Sequence, residues 1–301
     1  MLIYWLGVLL AVLSGISHFL GMLIEKIIIN QLSADAKLMR SLVKSPSWIF
    51  ALFLRFGLGT IFFLMAQVFI GPAIIPGLMA SGLIVLAIGS VKVIGEKLTL
   101  PEILAIFMMV GAISFLGLSE LSIELSEYNL LQLEFIVRMT VFTLALAIIA
   151  LIFHFIQAKY GKFRGILLAL LSGSMFSLSN FWTGILMGVI TKVFSGIFNI
   201  GELVLFIVSV IVLVAVNLLG VTKMAAALRY GDASKLVPIQ NLPTQTTPSV
   251  IYFLVFLLLP PSTLSIIFFI LAIMLIIASS FILAKRQAEL DKIKQISSLE
   301  E

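Results

Sequence analysis

The residues best suited to binding a ligand lie in one stretch: Gln240-Asn241-Leu242-Pro243-Thr244-Gln245-Thr246-Thr247-Pro248, preceded by Pro238. Amide and hydroxyl side chains offer donors and acceptors without charge. Prolines remove backbone donors and bend or break a helix. In hydrocarbon, groups freed in this way must face protein or a water-filled cavity. The chemistry is therefore orientation of a small polar ligand, with no bond made or broken. If 231–248 is instead a loop outside the membrane, the same residues are simply solvated. A second polar set is Ser172, Ser174, Ser177, Ser179, Asn180 and Thr183. These either hold one helix to its neighbour or, through Ser177 and Asn180, reach the same cavity as Asn241 or Gln245. Arg55 adds a charge roughly 10 Å inside an apolar run by helical rise. There it either attracts a carboxylate or phosphate on a ligand or snorkels to the headgroups.

All 14 Asp and Glu fall in connections, in the tail, or within a turn or two of a helix end. A hard dication such as Mg²⁺ wants carboxylate oxygens, so no central dication site is expected. A buried carboxylate as proton carrier is not expected either. Glu25 beside Lys26, and Glu96 beside Lys97, read as features of one membrane surface. His18 and His154 have no nearby His or Cys in sequence and read as packing or gating residues rather than metal ligands. No paired aspartates, paired-histidine metal motif or nucleophile with a nearby base is visible inside the apolar runs, so neither an enzyme nor a cofactor is expected.

The elements that must carry these residues are membrane helices. Of the 301 residues, 61% are hydrophobic and 11% charged, about half the charged share of a soluble domain. Nine apolar segments approach or exceed the length that spans a bilayer: 2–24, 48–70, 72–94, 101–119, 133–157, 165–187, 202–220, 235–258 and 263–284. Of the 19 Lys and Arg, all but Arg55, Arg138 and Lys192 fall on one side of a nine-span arrangement. The positive-inside rule then places the N-terminus outside and the C-terminus in the cytoplasm, in a multi-pass protein of the cell membrane. Basic residues that flank membranes rather than forming one patch exclude nucleic acid as a partner. Cysteine is absent.

One phrase is written twice. Residues 7–15 read GVLLAVLSG and residues 165–173 read GILLALLSG, 158 positions apart. Small residues at Gly7, Ala11 and Gly15, and at Gly165, Ala169 and Gly173, share a helix face and let another helix approach closely. The first copy runs from outside to inside and the second from inside to outside. The expected fold is thus an all-α integral membrane protein of about nine transmembrane helices. Two inverted four-helix repeats, 1–120 and 161–284, are joined by an acidic outer loop and a single helix in 121–160. A charged tail, 285–301, follows. Inverted repeats can exchange conformations and open a site to each side in turn. The third segment opens Gly71-Pro72-Ala73-Ile74-Ile75-Pro76, and its counterpart carries Gly231-Asp232-Ala233 and Pro238. Broken helices at Pro72, Pro76 and Pro238 would frame the site, with Gln240, Asn241, Thr244 and Gln245 facing the ligand.

Gly71-Pro72-Ala73 with Pro76, the turn Gly95-Glu96-Lys97-Leu98 and the Gly111-containing fourth segment resemble the drug/metabolite transporter superfamily. The layout is similar to NIPA-type magnesium transporters, with Lys26 closing the first segment and Ala227-Leu228 leading to Pro238-Ile239. Leu54-Arg55-Phe56 echoes EamA-type members. The second half has Leu259-Pro260-Pro261 where the first has its Gly-Glu turn. The resemblance implies a secondary transporter moving a small organic metabolite by alternating access, with or without a coupling ion. A NIPA-like divalent-cation carrier is the alternative. A membrane scaffold or an intramembrane enzyme is the weaker one. Substrate identity, coupling and oligomeric state are not written in the sequence.

Overall fold

The computed structural model describes residues 2–32, 38–70, 78–79, 81–119, 121, 129–159 and 161–300. Pro72 and Pro76 lie outside the described residues. Among those described, the chain is helical, with no strand.

The first helix, α1, is Leu2–Gln31. A short helix, Leu38–Val43, follows. Then α2 runs through Pro46–Leu52, a wide turn at Phe53–Leu58, and Gly59–Ile70. Its start is set by Pro46 in the first turn and by Ser45, whose Oγ accepts the Trp48 amide at 3.4 Å. The next helix, α3, spans Gly82–Gly89 and a wide turn at Ser90–Ile94. After it, α4 is Leu100–Leu118, α5 Leu133–Lys159, α6 Arg164–Phe194 and α7 Ile200–Tyr230. At the start of α4, Glu102 caps backwards onto Thr99; at the start of α7, Glu202 does the same for Asn199. The last two are α8, Ala233–Val250 with a wide turn at Ile251–Val255, and α9, Thr263–Glu300.

Among the described residues, seven helices are long and apolar enough to cross a membrane: α1, α2, α4, α5, α6, α7 and α9 over Thr263–Arg286. The other two of the nine expected segments differ for separate reasons. In 72–94 the apolar helix described is Gly82–Ile94, which is short. In 235–258 the helix has full length but the polar run makes it less apolar. Large exposed hydrophobics such as Val141, Ile148, Leu218 and Phe281 coat the outside, as lipid requires.

One expectation is corrected. The prolines do not break α8: Pro238, Pro243 and Pro248 sit inside a continuous helix. The prolines take the amide partners from the Ser234, Ile239 and Thr244 carbonyls, and two threonine hydroxyls add bonds to other carbonyls of the same helix. Thr244 Oγ1 donates to the Gln240 carbonyl at 3.3 Å, and Thr246 Oγ1 donates to the Leu242 carbonyl at 2.9 Å. The true interruption is at Gly231-Asp232, between α7 and α8.

Packing centres on α1 and α6. The first packs on α2 and α3; the second packs on α7, α8 and α5. Several local contacts occur twice. Ser14 Oγ donates to the Gly59 carbonyl at 2.7 Å, and Ser172 Oγ donates to the Gly220 carbonyl at 2.8 Å. Gly15 lies against the backbone of Met79, and Gly173 against that of Gln240. In α3 the Gly95 amide reaches back to the Ser90 carbonyl, and in α8 the Phe256 amide reaches back to Ile251. The chain then turns through a left-handed residue in each case, Gly95 at φ 80° and Leu257 at φ 55°.

A Cβ at Gly173 would overlap the Gln240 carbonyl, whereas one at Gly111 would meet nothing within 4 Å. Gly173→Ala should therefore cost about 1–3 kcal/mol of unfolding free energy. Gly111→Ala should leave it unchanged or slightly raised. Thermal unfolding of the two purified variants checks the contrast.

Candidate functional site

Helix ends leave backbone groups without intrahelical partners. At Gly231 two such ends meet, the C-terminus of α7 and the N-terminus of α8; Ala227, Leu228, Gly231, Ala233 and Ser234 are buried there, while Tyr230 is exposed. The partners come from the other half of the chain. Lys26, near the end of α1, donates through Nζ to the Leu228 carbonyl and, at 2.6 Å, to the Gly231 carbonyl. Glu96 accepts the Ala233 amide at 2.8 Å and the Ser234 amide at 3.1 Å, with the Ser234 hydroxyl at 2.5 Å. A cation thus sits at a helix C-terminus and an anion at a helix N-terminus, the signs that the peptide dipoles favour. Gly95 supplies the left-handed turn that brings Glu96 there.

A second buried charge set lies at the same end. Lys235, fully buried, pairs with Asp232 at 2.8 Å and with Glu102 at 3.3 Å. One oxygen of Glu102 caps α4 through Thr99; the other faces Lys235 and Arg286. The first half and the second are therefore joined by ionic and charge-assisted bonds. Beside them, Arg55 pairs with Glu25 at 3.3 Å, both almost fully buried, and Trp48 Nε1 donates to the other oxygen of Glu25 at 3.2 Å. The Arg55 guanidinium lies over the rings of Phe56 at 4.8 Å and Phe176 at 5.2 Å. His18 meets Phe56 edge-on at 6.3 Å, and His154 meets Phe155 at 5.6 Å.

The polar face of α8 rests on α6. Gln240 Nε2 donates to Ser172 Oγ at 3.2 Å, while Gln240 Oε1 is buried without a hydrogen-bond partner. The Gly173 carbonyl accepts Ser177 Oγ at 2.8 Å and lies 3.4 Å from Thr244 Oγ1. Ser177, Gln240 and Thr244 thus gather around Ser172 and Gly173, with Pro238 buried two residues before Gln240. Asn241 and Gln245 stand on an adjacent face of α8, half-buried, and Asn180 is exposed on α6. Arg55 belongs to the Glu25 pair rather than to this group. Among the described residues, no three His, Cys, Asp or Glu converge to hold a metal.

Glu25, Lys26, Glu96 and Lys235 were expected at a membrane surface or opening a helix. All four are buried. Their signal in the sequence is a Gly-Asp break between two apolar helices, which requires partners, together with charges near helix ends in the other half.

No protein-family model, curated protein or solved structure matches this chain.

Glu25→Gln would leave the Arg55 charge buried without its partner. It should destabilise the fold by about 3–5 kcal/mol, and adding Arg55→Met should recover most of the loss. Unfolding of the single and double variants in detergent measures both. A double variant no more stable than Glu25→Gln would mean that the pair does not carry the effect.

Proposed function

We propose that this chain is a secondary transporter of the drug/metabolite type, moving a small organic metabolite by alternating access. In this reading α1–α4 and α6–α9 are inverted four-helix repeats, α3 and α8 also cross the membrane, and α5 joins the units. The observation that carries it is the set of contacts made twice. Ser14 to Gly59 is matched by Ser172 to Gly220, and Gly15 on Met79 by Gly173 on Gln240. The pairs Gly59/Gly220, Met79/Gln240 and Ser90/Ile251 all keep one spacing, 161 residues. Two units built alike can adopt each other's conformation. The basic connections support a cytoplasmic C-terminus, with the charged end facing the cytoplasm.

The substrate would lie between the units, where α8 faces α3 and is bordered by α1 and α6. Asn241 and Gln245, one turn apart, would contact it, and Gln240, Thr244 and Ser177 would hold the wall behind them. Such neutral groups in an apolar surround suit a polar metabolite without net charge. The buried bonds of Lys26 and Glu96 across the Gly231 break would close the cytoplasmic side. They would have to be released, and replaced by water, for the site to open inward.

Proteoliposomes offered a panel of amino acids, sugars, nucleosides and Mg²⁺ test the reading. An organic solute should accumulate, and Asn241→Leu or Gln245→Leu should abolish its uptake while thermal unfolding stays within a few degrees of wild type. Uptake of Mg²⁺ alone, or wild-type uptake by both variants, would overturn it.

A further inference from the structure

Beyond the transport reading, and independent of it, a cavity of about 550 Å³ opens between α5, α6 and α8. Its wall is apolar, with Val141, Leu146, Leu170 and Leu254 among its lining. Three hydroxyl residues reach it, Ser174, Thr246 and Thr247; Ser174 Oγ donates to the Leu170 carbonyl at 2.9 Å and Thr246 Oγ1 to the Leu242 carbonyl. Val141 and Leu254, which flank the mouth, are 61% and 64% exposed. The cavity therefore opens sideways, toward the hydrocarbon that coats the outside of the bundle.

Arg138 is the charged residue of this lining. Its Nε is buried and, among the described residues, has no hydrogen-bond partner. It lies one and a half turns from the start of α5, roughly 7 Å by helical rise, a depth from which an arginine reaches headgroup level. A guanidinium at this depth is costly without an anion. An apolar groove left unfilled forfeits the dispersion contacts of its walls. One molecule remedies both defects: an anionic head with a long apolar chain. The sideways opening selects a molecule already in the bilayer.

We infer that this cavity is a phospholipid site, with the lipid phosphate on the Arg138 guanidinium and one acyl chain lying along α5 between α6 and α8. The bound chain fills the space where α5 would otherwise stand away from α8. Arg138 fixes its head by paired N–H donors, the geometry in which guanidinium recognises phosphate.

The test is native mass spectrometry of the full chain released from vesicles of phosphatidylglycerol, of phosphatidylcholine, or of phosphatidylcholine with palmitate. One phospholipid should stay bound per chain. Ala145→Trp, at an exposed position of the cavity wall, should reduce the bound fraction at least tenfold with unchanged thermal unfolding. Arg138→Gln should reduce it several-fold for both phospholipids. Equal retention by wild type and Ala145→Trp would overturn the site. Retention of palmitate in place of phospholipid would overturn the choice of lipid, and full retention by Arg138→Gln would overturn the phosphate contact. If Arg138→Gln fails to fold, Ala145→Trp decides alone.

Discussion

The structure depends on satisfying a pair of helix ends inside the bundle. Between α7 and α8 the chain breaks at Gly231, and the carbonyls and amides exposed there cannot be left bare in a buried, water-poor place. Lys26 takes the carbonyl side and Glu96 the amide side. Neither residue is near the break in sequence, so their bonds bring α1 and the α3–α4 turn onto the second half of the chain. Glu102 and Lys235 add a second tie from the same region, and Arg286 joins α9 to it. Charge-assisted bonds of this kind are strong where water is scarce.

Close backbone approach is the second constraint. Gly15 and Gly173 put α1 and α6 against the backbones of the α3 and α8 segments, and Ser14 and Ser172 add a bond to the carbonyl of a neighbouring helix. In lipid such contacts replace the hydrophobic drive that assembles a soluble core. They also explain how a polar, proline-bearing helix survives in the bundle. The inward face of α8 is spoken for by Ser172, Gly173 and its own threonine hydroxyls. Asn241 and Gln245 stand outside that set. A neutral polar face, next to a buried charged set at one end, is the combination the proposed transport cycle uses.

The small residues of the repeated phrase were expected to admit a neighbouring helix, and in both places its last glycine lies against a neighbouring backbone while its serine donates to a neighbouring carbonyl. The starts of α2, α4, α5, α6, α7 and α9 fell within two residues of the expected ones, since long apolar runs and capping residues mark them directly. The state of α8 was harder to read. Local rules let three prolines break a helix, but packing against α6 held it together. The buried clamp was illegible for another reason. Lys26 and Leu228 are separated by 202 residues and Glu96 and Ala233 by 137, and nothing local distinguishes a charge that folds inward from one that meets water.

The claim that this charged end is a releasable closure is tested most directly at Ser90, fully buried at the end of α3, where its carbonyl accepts the Gly95 and Glu96 amides. The chain has no cysteine of its own, so Ser90→Cys gives a single thiol. Its reaction rate with a hydrophilic maleimide should be low in the reconstituted protein. It should rise at least tenfold when Lys26→Met and Glu96→Gln are added, with helical content by circular dichroism unchanged. The same slow rate with and without the clamp would contradict the account.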